Sequence, residues 1–576
     1  MIRLFKFLIP YRTSIFFIIL LTFTQAISEV FLPTLMADIV DIGIVNGDTT
    51  YIMQVGGKML LIALIATISI ITSNYLSAKV ASSFSRDLRS KVFKRVESFS
   101  LTEFNKIGTA SLITRTTNDI TQVERVTIMM LRLMLRAPML LIGSVIMAIT
   151  RDVKLSLFIV FIVPILILLV IIISKKSMPL FKSMQKKLDK INLIVREGLT
   201  GIRVIRAFNR IGYENTRFNK ANIDLKDTAI RVNKIMAITM PLMMLIMNMS
   251  IVIIVWFGSI RINSGDMLVG DLMAFIQYIM QILFSLIMVS MIFVMIPRAS
   301  ASADRIIEVL DITPSIVDED KGIKGIGKKR GYLEFKNVSF SYPGAEKPAI
   351  ENISFLAKPG EITAIIGGTG SGKSTLIKLI PRLYDVTKGS ILLNDIDIRQ
   401  MSQKDLRFKI GIVPQKAVLF SGTIAENISY GREDASIEEI TRVAEISQAM
   451  EFISEMDAGL EANISQGGTN LSGGQKQRLA IARALIKKPE IYIFDDSFSA
   501  LDYNTDAKLR KALREETQEA GIIIVAQRVT TIMNANTIIV LDEGKIAGIG
   551  NHDALVKDCG VYREIVSSQL SKEELA

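Results

Sequence analysis

EITAIIGGTGSGKSTLIKLI, residues 361–380, decides how this chain is built. Ile362 to Ile366 is a short apolar and β-branched run that reads as a buried strand, and Leu376 onward resumes as a helix. Between them Gly367 to Ser374 satisfies G-x-x-x-x-G-K-[ST], with the strand before it and the helix after it that this loop requires. In that setting Gly367, Gly368, Thr369, Gly370, Ser371, Gly372, Lys373, Ser374 and Thr375 form a phosphate cradle. The N–H groups of Gly370 to Lys373 face phosphate at a helix start. Lys373 reaches the β- and γ-phosphates of a nucleotide, and Ser374 reaches its Mg2+. A strand–loop–helix unit of this kind belongs to a soluble α/β domain with a largely parallel sheet.

IYIFDDSFSALD, residues 491–502, supplies the matching second element. Four apolar residues make a central strand, and Asp495 at its end holds Mg2+ through water. Successive strand residues point to opposite sides, so Asp496 cannot share that task. Working back toward the N-terminus, ITPSIVDEDKGIKGIGKKRG (312–331) mixes Pro, Gly and charge as a linker does. The expected division is a transmembrane domain over 1–312, a linker over 313–331 and a nucleotide-binding domain over 332–576.

The N-terminal half is of another kind. Six apolar stretches fall near 14–36, 58–78, 129–149, 155–174, 236–260 and 272–296, each close to the ~20 residues that cross a bilayer. Residues 1–312 carry 35 Lys+Arg against 20 Asp+Glu, whereas the remainder carries 33 against 36. A basic excess confined to the apolar half follows membrane topology and gives no reason to expect a nucleic-acid partner. Arg3, Lys6 and Arg12 precede span one; Arg86, Arg89, Lys91, Lys94 and Arg95 follow span two; Lys175, Lys176, Lys182, Lys186, Lys187 and Lys190 follow span four. The loop DIGIVNGDTTYIMQVGG between spans one and two has no basic residue. The chain therefore reads as a multi-pass protein of the cell membrane with both termini and the nucleotide-binding domain cytoplasmic. Spans three and four join through a short turn around Arg151 and Lys154. The first apolar run has no small-residue cleavage site and reads as a retained span. Cys559 is the only cysteine, which excludes an intrachain disulfide and a cysteine metal cluster.

The connections between spans two and three, and four and five, are long and helix-like. They read as helices running on beyond the bilayer and ending in short turns near Phe104–Gly108 and Phe208–Tyr213. Few ionisable or amide groups lie at depth: Glu29 in span one, Arg132 and Arg136 on one face of span three, and Gln277 and Gln281 on one face of span six. Met240, Met243, Met244, Met247, Met280, Met288, Met291 and Met295 enrich spans five and six, for packing or as an adaptable binding surface.

LSGGQKQRLAIARAL, residues 471–485, resembles the signature of ATP-binding-cassette (ABC) transporters. The order of six spans and one nucleotide-binding domain is similar to that of ABC exporter half-transporters. The resemblance implies ATP and Mg2+ as cofactors, alternating access, and outward movement of amphipathic drugs, lipids or peptides. It implies that Tyr342 in FSYPG stacks on adenine and that Gln415 in IVPQKAVLF senses the γ-phosphate beside the metal. It also implies that Ser472, Gly473, Gly474 and Gln475 close over ATP held by a second half-transporter, and that Ser499 to Asp502 (SALD) crosses the dimer. The segments GTASLITRTTND (108–119) and EGLTGIRVIRAFNR (197–210) resemble those flanking exporter coupling helices.

Three residues depart from the family pattern. Asp496 stands where the family has a catalytic Glu, and Gln527 in IIIVAQRVTTI stands at its switch histidine; Gln466 stands where exporters often carry Glu. His552, the chain's one histidine, lies in GNHDALV and does not substitute. A carboxylate withdrawn by about 1–1.5 Å and an uncharged amide both weaken hydrolysis at the same phosphate. The pattern resembles the degenerate-site subunit of a heterodimeric multidrug exporter, its own site weakly active and its signature completing the partner's site. A homodimer with Asp as a slow base, an ATP-gated regulatory subunit, and an exporter-fold importer of metal chelates are the alternatives.

Overall fold

A computed structural model describes residues 2–318 and 330–569; the side chains of 2, 290–295, 297 and 298 are also outside the description. Most of the expected linker, and Met291 and Met295, therefore lie outside the described residues. Backbone contacts divide the chain into two compact units. One comprises Met1–Glu97 with Thr109–Ile312, the other Ser98–Gly108 with Thr313–Ala576.

The first unit is helical. Among the described residues six helices are long and apolar enough to cross a membrane: Arg3–Ile44, Thr49–Glu97, Thr109–Arg151, Val153–Thr200, Ile211–Asn263 and Val269–Val289. They are called spans one to six below. The last belongs to a helix that continues to Asp311. Pro33, Pro138, Pro164, Pro179 and Pro241 sit inside these helices without ending them. Large apolar side chains such as Leu60, Phe161 and Trp256 are exposed, which suits a lipid solvent. Asp152 forms the turn between spans three and four: its carboxylate caps the fourth by accepting from Leu155 N at 2.8 Å and also pairs with Arg261 at 2.8 Å.

Near Phe104–Gly108 the chain forms a short helix, whereas near Phe208–Tyr213 it makes the expected break at 208–210. Leu101–Ile107 is closed at its start by a capping box in which Ser100 and Glu103 bond reciprocally, and Gly108 follows at φ 82°. Ile202–Ala207 ends at Phe208 and Asn209, and the chain resumes as helix at Ile211. Ser100 and Glu103 fit S-x-x-E, a local signal that the apolar periodicity of the long helices obscured.

Arg132 and Arg136, read as sharing one face of span three, take different partners. Arg136 donates to both oxygens of Glu29 at 2.8 and 2.9 Å, whereas Arg132 donates to the Asn74 carbonyl at 2.7 Å. Span three passes through a π-helical turn at Met130–Met134, and the two arginines, four residues apart, reach different neighbours: Glu29 on span one and Asn74 on span two. The glutamines also separate: Gln281 bonds to the Glu29 carbonyl and Ser144, while Gln277 is exposed. Met240, Met243, Met244 and Met247 line a cleft of about 70 Å3 with Leu166, Val170 and Phe284.

The second unit contains the α/β domain. Strands β1 (Leu333–Phe340), β2 (Ile350–Ala357), β4 (Lys388–Leu393) and β5 (Ile396–Asp397) form an antiparallel sheet ordered β2-β1-β4-β5. The larger sheet has β3 (Ile362–Gly367), β6 (Ile410–Val413), β9 (Ile491–Asp495), β10 (Gly521–Val525), β11 (Thr537–Asp542) and β12 (Lys545–Gly550), ordered β12-β11-β3-β10-β9-β6. All its pairings are parallel except the edge pair β11–β12. A two-stranded ribbon joins β7 (Gly422–Thr423) to β8 (Asn463–Ile464). Both faces of the main sheet are covered: Ala364, Ile366, Ile522 and Ile524 face one core, and Ile365, Ile523, Ile491 and Ile493 the other. Burial on both faces is why these strands are continuous apolar runs.

Candidate nucleotide-binding site

Strand register brings separated motifs to one edge. Val525 pairs with Ile365 on one side and Asp495 on the other, and Val413 pairs with Phe494. Gly367, Gln415, Asp495, Asp496 and Gln527 therefore all lie at the C-terminal ends of β3, β6, β9 and β10. In open parallel sheets that edge is where ligands bind.

The loop after β3 depends on glycine. Gly372 has φ 98° and sits so close to the neighbouring chain that a Cβ would fall 2.7 Å from Ile350 and 2.9 Å from the Ala349 carbonyl. A Cβ on Gly367 would meet the Leu541 carbonyl at 2.1 Å. The helix Lys373–Leu379 starts directly after this turn. Lys373 Nζ donates to the carbonyls of Gly367 and Gly368, both at 2.7 Å, so the ammonium sits inside the loop. Thr369 and Gly370 are exposed, Ser371 is buried, and Ser374, one residue beyond Lys373, is exposed. Thr375 is buried and shares a 3.0 Å hydrogen bond with Tyr342, whose ring meets Phe340 and Tyr384 edge-on. The Thr375–Tyr342 link ties the aromatic ring to the loop helix, a contact that sequence spacing does not signal.

The two aspartates have different surroundings. Burial pushes the Asp495 carboxyl above its ordinary range and the neighbouring Asp496 adds to this, opposed by Lys378 and Lys373. Burial likewise lowers Lys373, opposed by Asp496 and Asp495. Asp496 is left-handed, φ 47°, held by its N–H to Val525 O at 2.8 Å and by the Ser499 hydroxyl donating to its carbonyl at 2.9 Å. Its carboxylate accepts from Gln415 Nε2 at 3.2 Å. Gln527 is exposed, and among the described residues only its backbone carbonyl is engaged, accepting from Gln569 Nε2 at 2.8 Å.

Among the described residues no group of three or more His, Cys, Asp or Glu side chains can hold a metal. The donors at this edge, a serine hydroxyl, an amide oxygen and one carboxylate, suit Mg2+, which takes few protein ligands and completes its shell with phosphate and water.

Other sequence candidates lie apart. Ser472 caps the helix Gly473–Leu485 in a reciprocal box with Gln475, and among the described residues no hydrogen bond joins Ser472–Gln475 to the glycine loop. They adjoin the SALD segment instead: a Cβ on Gly474 would meet the Ala500 carbonyl at 3.1 Å. Asp502 caps the helix Tyr503–Glu516, accepting from Thr505 N at 2.9 Å, and that bond holds its carboxyl below the ordinary range. Gln466 is exposed in a short 3-10 turn. Buried Gln477 donates to the Pro414 carbonyl at 3.1 Å and so joins the signature helix to the segment carrying Gln415.

Residues 15–286 match the family model for the ABC transporter transmembrane region, and residues 350–499 match the ABC transporter model. The ABC transporter ATP-binding protein YfiB of Bacillus subtilis is 40% identical over 99% of this chain and 98% of its own length. This chain belongs to the ABC transporter family. An ABC transporter ATP-binding protein of Mycobacterium tuberculosis is 41% identical over 97% of this chain and 96% of its own. The ATP-dependent lipid A-core flippase of Chromobacterium violaceum is 29% identical over 99% and 97%. A solved bacterial Atm1-family ABC exporter with ATP bound superposes with a TM-score of 0.82 at 25% identity, covering 97% of this chain and 99% of that one. The chain is thus a multi-pass membrane protein of ABC exporter fold, and its ABC domain implies ATP binding.

Proposed function

We propose that this chain is one half of a heterodimeric ABC exporter, oriented with both termini cytoplasmic, that binds ATP at a weakly hydrolytic site and moves amphipathic molecules outward. The observation that carries the reading is the pair of departures at one phosphate position. Asp496 is drawn toward Gln415 at 3.2 Å, and Gln527 offers an amide where a titratable imidazole would stand. Lys373 and the loop N–H groups bind and orient the phosphates; Ser374, Gln415 and Asp495 would hold Mg2+, which neutralises phosphate charge when bound. Tyr342 stacks on the base. Ser472, Gly473, Gly474 and Gln475 close the partner's ATP site, and Asp502 steadies the crossing segment. ATP favours the closed pair of domains, and that differential affinity drives the change of membrane access. The flippase named above has a lipid substrate, which supports an amphipathic one here.

The test is ATP turnover of the chain with its partner. Asp496→Asn leaves transport-coupled turnover within about twofold, whereas the partner's equivalent Glu→Gln abolishes it. Equal loss from both changes refutes the asymmetric reading.

A further inference from the structure

We infer that Arg132 anchors the phosphate of an inner-leaflet phospholipid where spans two and three meet. The inference rests on the cytoplasmic placement of the termini proposed above. It starts from the contrast between two arginines four residues apart. Arg136 is neutralised by Glu29, which also accepts from Gln25 at 2.9 Å. Among the described residues Arg132 has only the Asn74 carbonyl at 2.7 Å and no ion pair; the Nε atoms of both arginines are buried without a partner, so the missing carboxylate is what sets Arg132 apart. A guanidinium at the edge of the hydrocarbon with no counter-charge offers charge-assisted hydrogen bonds to an anion.

Its depth selects the anion. Arg132 lies about nineteen residues before Arg151, which ends span three in pairs with Asp38 and Asp271. At about 1.5 Å per residue this is roughly 28 Å, close to the full ~30 Å of hydrocarbon. Arg132 therefore sits at the inner headgroup level. The adjoining helix is laid out for a lipid at that level. Tyr75, beside Asn74, is 63% exposed, as interfacial aromatic rings are. Lys79, a turn further toward the cytoplasm, is exposed and in no ion pair among the described residues. Outward from Tyr75, Leu64, Ile68 and Ile71 continue one exposed apolar face on which acyl chains can lie. A phosphodiester at Arg132 with its chains along this face satisfies both the charge and the apolar surface. Free phosphate satisfies only the first.

The experiment uses the purified full-length chain in detergent, stripped of lipid, with phosphatidylglycerol added back and bound lipid counted by native mass spectrometry. Wild type retains one tightly held lipid. Arg132→Gln, which keeps an amide donor for Asn74, weakens it at least tenfold, and Arg132→Lys restores part of the loss. Lys79→Gln, outside every described contact, weakens it about fivefold, the ~1 kcal/mol of one juxtamembrane basic residue. Unchanged retention in both Gln variants overturns the inference. Stabilisation by inorganic phosphate equal to that by lipid overturns it in favour of a free-anion site. Arg132-dependent binding of a carboxylate detergent as tight as the phospholipid overturns it in favour of an anionic transported amphiphile. Protease access to the C-terminal tail in sealed vesicles tests the orientation separately.

Discussion

Asp496→Glu is the most direct perturbation of the proposed hydrolytic defect. The added methylene advances the carboxylate by about 1.5 Å, one carbon–carbon bond. Asp496 now accepts from Gln415 at 3.2 Å, so the longer side chain must leave that bond or push Gln415 aside. A well-placed general base contributes about 10²–10⁴-fold, and misplacement by about 1 Å costs on the order of 100-fold. Gln527 remains, so the expected recovery is at or below the lower edge of that range, roughly 10- to 100-fold. The backbone sets an opposing effect on stability. At φ 47° an Asp is tolerated better than a Glu, and the exchange costs about 1 kcal/mol. For a domain of this size that lowers Tm by about 2–4 °C. The assay is single-turnover hydrolysis in the co-purified pair with the partner's own site silenced, alongside calorimetry. Unchanged turnover with unaltered ATP affinity refutes the argument, because reach at residue 496 would then not be limiting.

The other predictions concern support of the site and of the membrane helices. Gly372→Ala places a methyl against Ile350 and the Ala349 carbonyl at φ 98°, so a loss of about 2–4 kcal/mol and of ATP-analogue binding is expected in melting and binding assays. Glu29→Gln leaves Arg136 without its carboxylate; because both side chains are about a quarter exposed, the expected loss is about 1–3 kcal/mol, partly recovered in Glu29→Gln with Arg136→Gln. Burial pushes the Glu490 carboxyl up, but Lys409 at 2.7 Å and Asn394 at 2.6 Å outweigh it and hold the group below its ordinary value. The stability it contributes is present above the unfolded value near 4.5 and lost as pH falls through the folded one. Wild type should therefore exceed Glu490→Gln in Tm at pH 7, with the gap closing below about pH 4.5. Gly473→Ala should raise the Tm of the nucleotide domain slightly while lowering turnover at the partner's site.

The sequence made the nucleotide edge legible because its determinants are local. A strand, a glycine turn and a helix sit within residues 361–380, and β9 ends directly at its aspartates. The link between these pieces was not legible. That Asp495, Val525 and Ile365 share one row depends on strand order, which no spacing encodes. Nor does the spacing of Arg132 and Arg136 tell that one takes the Asn74 carbonyl and the other the Glu29 carboxylate, because that depends on which helices pack against span three. The short helix at Leu101–Ile107 was obscured for a different reason: it is shorter than the window over which apolar periodicity can be judged.

An intact LSGGQ is weaker support for a dimer than it first seems, since part of it serves this chain alone. Ser472 and Gln475 cap their own helix, Asp502 caps the next, and Gly474 is held tight against Ala500. A sequence selected only to fold would keep all four. Gly473 is different. Nothing lies within 4 Å of the position its Cβ would occupy, and its φ is not left-handed. At a helix start with open space around it, Ala would favour the helix by up to about 1 kcal/mol. No local contact accounts for the missing side chain. Gly368 repeats the case in the phosphate loop, with open space and an ordinary φ. In both places the bare backbone faces outward, where a phosphate from outside could approach the N–H groups. Gly473 therefore supports a nucleotide held between two subunits more strongly than the rest of its motif. A Gly473→Ala chain that melts no higher than wild type, or leaves the partner's turnover unchanged, would remove that support.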